Sequence, residues 1–249
     1  MELEICCGDL QSVMAAKKGG TKRIELCSGL SEGGLTPSLG LIEGALSTGI
    51  PEVNVLIRPR QGDFLYSENE VVSMEKDIDT SCNAGVSGIV IGALKENGEI
   101  DLEICQRLIG RAKSINPEVN VTFHRAFDLS RDPFVSLEDV ISLGCDTILT
   151  SGLAEKALTG KVMIRNLVKQ AENRIKIMAG SGITPGNVEE IIKTTGVDAI
   201  HSSARSKIES GMKFIRKDVA MGSPENNEYK WQTTNPEIVK ELIEIISKC

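Results

Sequence analysis

The sequence predicts a single (β/α)8 barrel of the α/β class over residues 1–249. Short apolar runs alternate with segments of helical periodicity along the whole chain, which is typical of parallel strands joined by helices through right-handed crossovers. Eight such runs fit into a chain of about 250 residues, the usual size of this barrel. A doubly wound open sheet is the alternative, but no Gly-x-Gly-x-x-Gly motif follows the first strand, and the count of eight favours closure.

The elements are predicted in chain order from their patterns. Runs rich in Ile, Val and Leu indicate the strands, and several helices begin at Asp or Pro and end at Gly. Strands are predicted at 3–7, 23–27, 53–58, 88–94, 119–124, 147–151, 176–180 and 199–203. Helices are predicted at 9–19, 70–84, 101–114, 185–195 and 236–248. No linker or composition shift divides the chain, which supports one domain.

The longest connection is predicted as a loop over 207–235, between the last strand and the last helix. It contains turn-forming residues such as Gly222 and Pro224. A loop of this length is usually functional or mobile. The only tryptophan, Trp231, lies within it, and packing of the indole onto the barrel is favoured over stacking on a ligand.

Composition narrows the classes of function. The chain carries 35 acidic against 28 basic residues, a net charge of -7, and this argues against nucleic-acid and membrane-surface binding because both need a basic field. Small solutes are the expected partners. No apolar stretch is long enough for a signal peptide or a spanning helix, so the sequence predicts a cytosolic protein that could also enter the nucleus passively. The seven cysteines show no Cys-x-x-Cys spacing, which argues against a disulfide framework and a zinc ribbon.

One pattern occurs twice near the start of the chain, as Glu4-Ile5-Cys6 and as Glu25-Leu26-Cys27. Residues two apart in a strand face the same side, so each pattern sets a carboxylate beside a thiol. Both fall at the carboxyl ends of predicted strands, where a barrel of this kind builds its site. Buried carboxylates need partners because an unpaired buried charge is costly. The expected partners are Arg58, Arg205 and the two histidines.

Further polar residues at strand ends suggest an anion site. Ser181 and Gly182 follow the seventh predicted strand, and Ser203 and Arg205 lie at the end of the eighth. The loops after these two strands often hold a phosphate in such barrels, and glycine lets backbone N–H groups approach it. A tight turn that needs glycine is the equal alternative. Arg58 also suits carboxylate or phosphate recognition, with pairing to an internal carboxylate as its alternative.

Several long motifs resemble the CutC copper-homeostasis family. They lie at 4–6, 23–38, 57–60, 62–67, 121–128, 149–152 and 201–205, and residues 210–214 and 219–222 are most similar to animal-type members. The resemblance implies a (β/α)8 barrel, a cytosolic location and a homo-oligomer, either dimer or tetramer. It also implies that Cys6 and Cys27 bind Cu(I), for which soft thiolates are suitable ligands. No organic cofactor is evident.

The first functional hypothesis is therefore a copper homeostasis protein that binds Cu(I) through Cys6 and Cys27 at the barrel mouth. The inward layers of such barrels alternate between odd and even strands, so the two thiols could differ in height. A weaker hypothesis is an interaction scaffold. It would need a large exposed apolar patch, and the sequence shows no obvious one.

The second functional hypothesis is an enzyme that acts on a small anionic metabolite, either phosphorylated or carboxylated. Acid, base and anion-binding groups around one barrel mouth are typical of enzymes. In this hypothesis His124 acts as acid or base, and Glu4 and Glu25 hold a substrate or a divalent metal. Asp63 completes the catalytic candidates. The anion-binding candidates are Arg58, Ser181, Gly182, Ser203 and Arg205.

Overall fold

The chain forms a closed barrel of eight parallel strands. The computed structural model describes residues 1–216, 218, 219, 221 and 228–249. Strands β1 to β8 follow one another around the barrel in chain order, and β8 pairs with β1 to close it. They are Glu2–Cys7, Arg23–Leu26, Glu52–Leu56, Gly88–Ile91, Asn120–Phe123, Thr147–Thr150, Lys176–Ala179 and Ala199–Ser202. The predicted fold class and the eight predicted strands are confirmed.

Eight α-helices, α1 to α8, alternate with these strands in the described part of the chain. They are Leu10–Gly19, Leu39–Ser47, Glu68–Ala84, Leu102–Ile115, Pro133–Ser142, Ala157–Ala171, Val188–Thr195 and Pro236–Ile246. The five predicted helices correspond to α1, α3, α4, α7 and α8. Helix α7 begins three residues later than predicted because the preceding residues form a turn, in which the Thr184 N–H donates to Asn187 Oδ1 at 2.9 Å.

The main hydrophobic core lies between the barrel and the helices. Alternate strand residues such as Ile5, Ile24 and Val55 face the helices and are fully buried. The residues between them face the barrel interior, so Glu4 and Cys6 of β1, Glu25 of β2 and Cys27 just after β2 lie on its inner side. A separate interior cluster consists of Cys6, Cys27, Leu56 and Val90.

The structure corrects the prediction of a loop over 207–235. Strands β9 (Arg205–Glu209) and β10 (Lys230–Thr234) form an antiparallel pair, so backbone hydrogen bonds order both ends of the segment. The hairpin base contacts α1, where Ser12 Oγ lies 2.9 Å from Thr233 Oγ1. The composition of the segment did not reveal this pairing. Expectations that rest on residues 220, 222, 224, 226 and 227 fall outside the described residues.

Apolar side chains are exposed on and beside this hairpin. Trp231 is 45% exposed, so its indole is only partly covered by the rest of the protein. Further exposed apolar residues are Met212, Phe214, Ile215, Val219 and Met221. An apolar surface is therefore present where the sequence showed no obvious one. Among the described helices, none has the length and apolar character needed to cross a membrane.

Candidate functional site at the barrel mouth

A cavity of about 480 Å³ opens at the carboxyl ends of the barrel strands. Both histidines of the chain, His124 and His201, lie in its wall, and Arg125 lines it as well. This is the end of the barrel at which enzymes of this fold carry out their chemistry. The predicted site residues that line the cavity are Cys6, Glu25, Arg58, His124, Ser181, Gly182, Ser203 and Arg205.

Three predicted site residues do not line the cavity. Glu4 and Cys27 are fully buried next to it. The Asp63 side chain is 70% exposed, and its Oδ1 accepts a hydrogen bond from Arg60 Nη2 at 2.9 Å. This pairing holds Asp63 on the outside of its loop. The structure therefore does not bring Asp63 together with His124 and Glu25.

The two predicted metal ligands lie side by side. Cys6 Sγ is 3.7 Å from Cys27 Sγ, and it donates a hydrogen bond to Glu25 Oε2 at 3.2 Å. Both thiols are buried against Leu56 and Val90. The contact with Cys27, burial and the charge of Glu25 raise the pKa of the Cys6 thiol well above its ordinary value. Without a metal, Cys6 is therefore a protonated thiol.

The backbones of Cys6 and Cys27 lie at different levels along the barrel axis, as expected. Cys6 stands opposite Glu25 in the parallel register, so Cys27 lies two residues further along the chain than the partner of Cys6. The side chains nevertheless bring the two sulfur atoms to 3.7 Å. The backbone stagger therefore does not separate the pair.

Glu4 is the centre of a buried hydrogen-bond network. Its Oε2 accepts from Arg23 Nε at 2.9 Å and from Asn54 Nδ2 at 2.8 Å, and its Oε1 lies 2.9 Å from His201 Nδ1. Of the partners expected from the sequence, only His201 contacts Glu4. Arg23 takes the place of Arg58 because the register sets it directly opposite Glu4.

The charged groups of this network shift one another's pKa values. Burial by itself would raise the pKa of Glu4, but His201 and Arg23 outweigh this effect and lower the pKa to about 2. Burial would lower the pKa of His201, but the charge of Glu25 and the contacts with Cys6 and Glu4 raise it well above its ordinary value. Burial and the charge of Glu4 raise the pKa of Glu25. Glu4 is thus a fixed anion, which does not suit a general base.

Arg58 holds the loops of the mouth in place. Its Nη1 donates to the carbonyl oxygens of Glu32 and Gly34 at 2.9 Å, and its Nη2 donates to that of Gly62 at 2.8 Å. The guanidinium also lies 5.0 Å from the centre of the Phe64 ring. Only Nε lacks a hydrogen-bond partner among the described residues. Most of the donors expected to bind an anion are therefore already used.

His124 is a buried, neutral hydrogen-bond donor. Its Nδ1 accepts from the Ala126 N–H at 3.1 Å, so we assign the ring proton to Nε2, which has no partner among the described residues. Burial and the charge of Arg58 lower the pKa of His124 to about 3. The ring fits only because residue 92 is glycine, since a Cβ there would lie 2.6 Å from it. With so low a pKa, the ring is neutral at pH 7 and donates a hydrogen bond more readily than it takes up a proton.

The loops after β7 and β8 form the opposite side of the mouth. Ser181 and Gly182 both have positive φ angles, of 78° and 67°, and Ala204 has one of 45°. Positive φ at non-glycine residues is uncommon and is often found at functional sites. Arg205 also lines the cavity, with its Nε donating to Ser203 Oγ at 3.0 Å. The hydroxyl of Ser181, a predicted anion ligand, already donates a hydrogen bond to the Glu155 carbonyl oxygen.

The chain is similar to proteins of one family over nearly its whole length. The model of the CutC family matches residues 1–206. A CutC family protein from Histophilus somni is 45% identical over 240 residues, which cover 96% of this chain and 97% of the relative. The copper homeostasis protein cutC homolog of Homo sapiens is 44% identical over 241 residues, which cover 96% of this chain and 87% of the relative.

A solved structure supports the same similarity. The CutC structure from Streptococcus agalactiae superposes with a TM-score of 0.76 at 34% sequence identity. The superposition covers 82% of this chain and 98% of that one.

Proposed function

Because this chain belongs to the CutC family, we propose that it acts in copper homeostasis and binds Cu(I) through the thiolates of Cys6 and Cys27. The human relative is named as a copper homeostasis protein. The observation that carries the proposal is the 3.7 Å separation of the two sulfur atoms. Thiolates are soft ligands that favour Cu(I) over harder cations. A small increase in the distance between the two sulfur atoms makes room for one ion between them.

The surroundings of the thiols support Cu(I) binding. Leu56 and Val90 pack around them, and the burial of both sulfur atoms limits the contact of a bound Cu(I) ion with water and oxidants. Cys6 lines the cavity, so an ion can reach the pair from the mouth. The thiols lose their protons as the metal binds.

The test is a Cu(I) titration of reduced protein against bicinchoninic acid without oxygen. Changing Cys6→Ser together with Cys27→Ser is expected to weaken Cu(I) binding by about 100-fold or more, since loss of a group that only orients a ligand already costs roughly 10–100-fold. The matched control is Cys82→Ser with Cys249→Ser, which also removes two thiols and is expected to bind as wild type does. Equal Cu(I) affinity of the Cys6 and Cys27 variant and wild type would refute the proposal.

A second candidate function is supported by the cavity itself. A copper site needs two thiols, but the mouth also holds Arg205 and the strained loops after β7 and β8. We propose that this space binds a small anionic metabolite, phosphorylated or carboxylated, in an enzyme reaction. Arg205 provides the charge, and the loops around Gly182 and Ser203 surround the anion.

This second function is tested by thermal unfolding with a panel of phosphorylated and carboxylated metabolites. A true ligand at ten times its Kd is expected to raise the Tm of wild type by about 3–5 °C. Arg205→Ala is expected to abolish the shift, whereas Arg165→Ala, which changes an exposed residue of α6, is expected to retain it. The idea fails if Arg205→Ala responds to the same ligand as fully as wild type does.

A further inference from the structure

We propose that the donors beside the cavity form a four-ligand site for Zn²⁺, composed of Cys6 Sγ, Cys27 Sγ, a Glu25 carboxylate oxygen and His201 Nε2. The inference rests on the proposed metal-binding role of the two thiols. It adds an oxygen and a nitrogen donor that Cu(I) does not require. The site would therefore accept two metals in two different coordination modes.

The spacing of the donors fits tetrahedral coordination. With Zn–S bonds of about 2.3 Å, a tetrahedral angle separates two sulfur atoms by about 3.8 Å, and a linear arrangement separates them by about 4.6 Å. Cys6 Sγ and Cys27 Sγ are 3.7 Å apart, which matches the tetrahedral value. The donor atoms of Cys6, Cys27 and Glu25 all lie within 4.8 Å of one another. The three therefore need little rearrangement to meet at one ion.

His201 stands next to this group with its Nε2 turned toward it. Its Nε2 lies 3.7 Å from Glu25 Oε2, and its Nδ1 lies 2.9 Å from Glu4 Oε1. Histidines that bind metals usually give their other ring N–H to a carboxylate, which fixes the ring and makes the ligand nitrogen more basic. Arg23 and Asn54 hold Glu4 in turn. The imidazole is thus held beside the other three donors, and its Nε2 loses a proton, as the two thiols do, when the metal binds.

The chemistry of the donors also favours Zn²⁺. Zn²⁺ is bound tetrahedrally by cysteine sulfur, histidine nitrogen and carboxylate oxygen, whereas soft sulfur ligands suffice to select Cu(I). Two thiolates and one carboxylate compensate the charge of a divalent ion. Cys6, Glu25 and His201 all line the cavity, so the ion has an entry path.

The test uses Zn²⁺ and Cu(I) titrations of the same reduced proteins against metal-binding indicators. Glu25→Gln and His201→Gln are each expected to weaken Zn²⁺ binding about 10-fold more than they weaken Cu(I) binding, because each removes a proposed Zn²⁺ ligand and leaves both thiols that bind Cu(I). The control is Glu32→Gln, which removes an exposed carboxylate from a loop of the same mouth and should leave both affinities unchanged. A cooperative thermal unfolding transition near that of wild type shows that a variant is folded.

X-ray absorption of the zinc-loaded wild type gives an independent readout. The expected coordination shell holds two sulfur and two lighter donors. A shell without sulfur, or equal Zn²⁺ affinity in wild type, Glu25→Gln and His201→Gln, overturns the zinc site while leaving the copper proposal untouched. Loss of copper binding is judged separately by the variant of Cys6 and Cys27, so failure of the one proposal is distinct from failure of the other.

Discussion

Replacing Glu4 by glutamine is expected to lower the free energy of unfolding by about 3–5 kcal/mol, the usual cost of removing one partner of a buried ion pair. Three donors, Arg23 Nε, Asn54 Nδ2 and His201 Nδ1, converge on the two oxygens of the fully buried carboxylate. An amide has only one oxygen, so its NH2 group must face a donor. The change keeps the size of the side chain and removes only its charge and one acceptor.

Chemical denaturation of wild type and the variant measures this effect directly. Glu52→Gln is the matched control because Glu52 also pairs with Arg23, at 3.6 Å, but its side chain is 46% exposed. An exposed pair contributes little, so the control is expected to lose less than about 1 kcal/mol. If Glu4→Gln is no less stable than the control, the buried network does not stabilise the barrel in the way described.

Acid is expected to destabilise wild type more than a His124→Gln variant. Between pH 7 and pH 5 the additional loss in wild type is about 2 kcal/mol. The pKa of His124 is about 3 in the folded protein, against an ordinary value of 6.5. Below pH 6.5 the unfolded chain therefore takes up a proton that the folded protein excludes. The stability from this group is complete above pH 6.5 and is lost as the pH falls toward 3.

Urea unfolding of both proteins at pH 7 and pH 5 provides the measurement. Arg58, the charged group that disfavours the imidazolium, is present in both proteins. His201 has a raised pKa and acts in the opposite direction, but it is also common to both and cancels in the difference. If the free energy of unfolding depends on pH equally in wild type and His124→Gln, the pKa of His124 is not lowered in the folded protein.

The fold was predictable because its signals are local. Alternation of short apolar runs with helical segments can be read without knowing any long-range contact, and the eight strands follow from it. The sequence did not predict the hairpin of β9 and β10, because its strands are mostly polar and exposed. Pairing between polar segments leaves no periodic apolar pattern in the sequence.

The pairing of site residues was only partly predictable. Arg23 and Glu25 share one face of β2 by alternation, and Cys27 continues that face just after the strand. This signal could have identified Arg23 as the partner of Glu4. The register that sets Arg23 opposite Glu4 depends on how two strands align, which single-strand patterns do not show. The contacts of Arg58 could not be predicted from the sequence, because its partners are backbone carbonyl oxygens of loops. Backbone acceptors carry no residue-specific signal.

Closure of the barrel between β8 and β1 has a consequence for how the protein is made. The register sets His201 opposite Glu4, so the candidate metal site combines residues from the two ends of the chain. During synthesis Cys6 and Cys27 leave the ribosome early, and His201 follows only after seven strands have been made. A nascent chain therefore exposes two free thiols before the group that completes their surroundings exists. Under the proposed zinc coordination, the full set of ligands is consequently assembled only late, in chains that have finished folding.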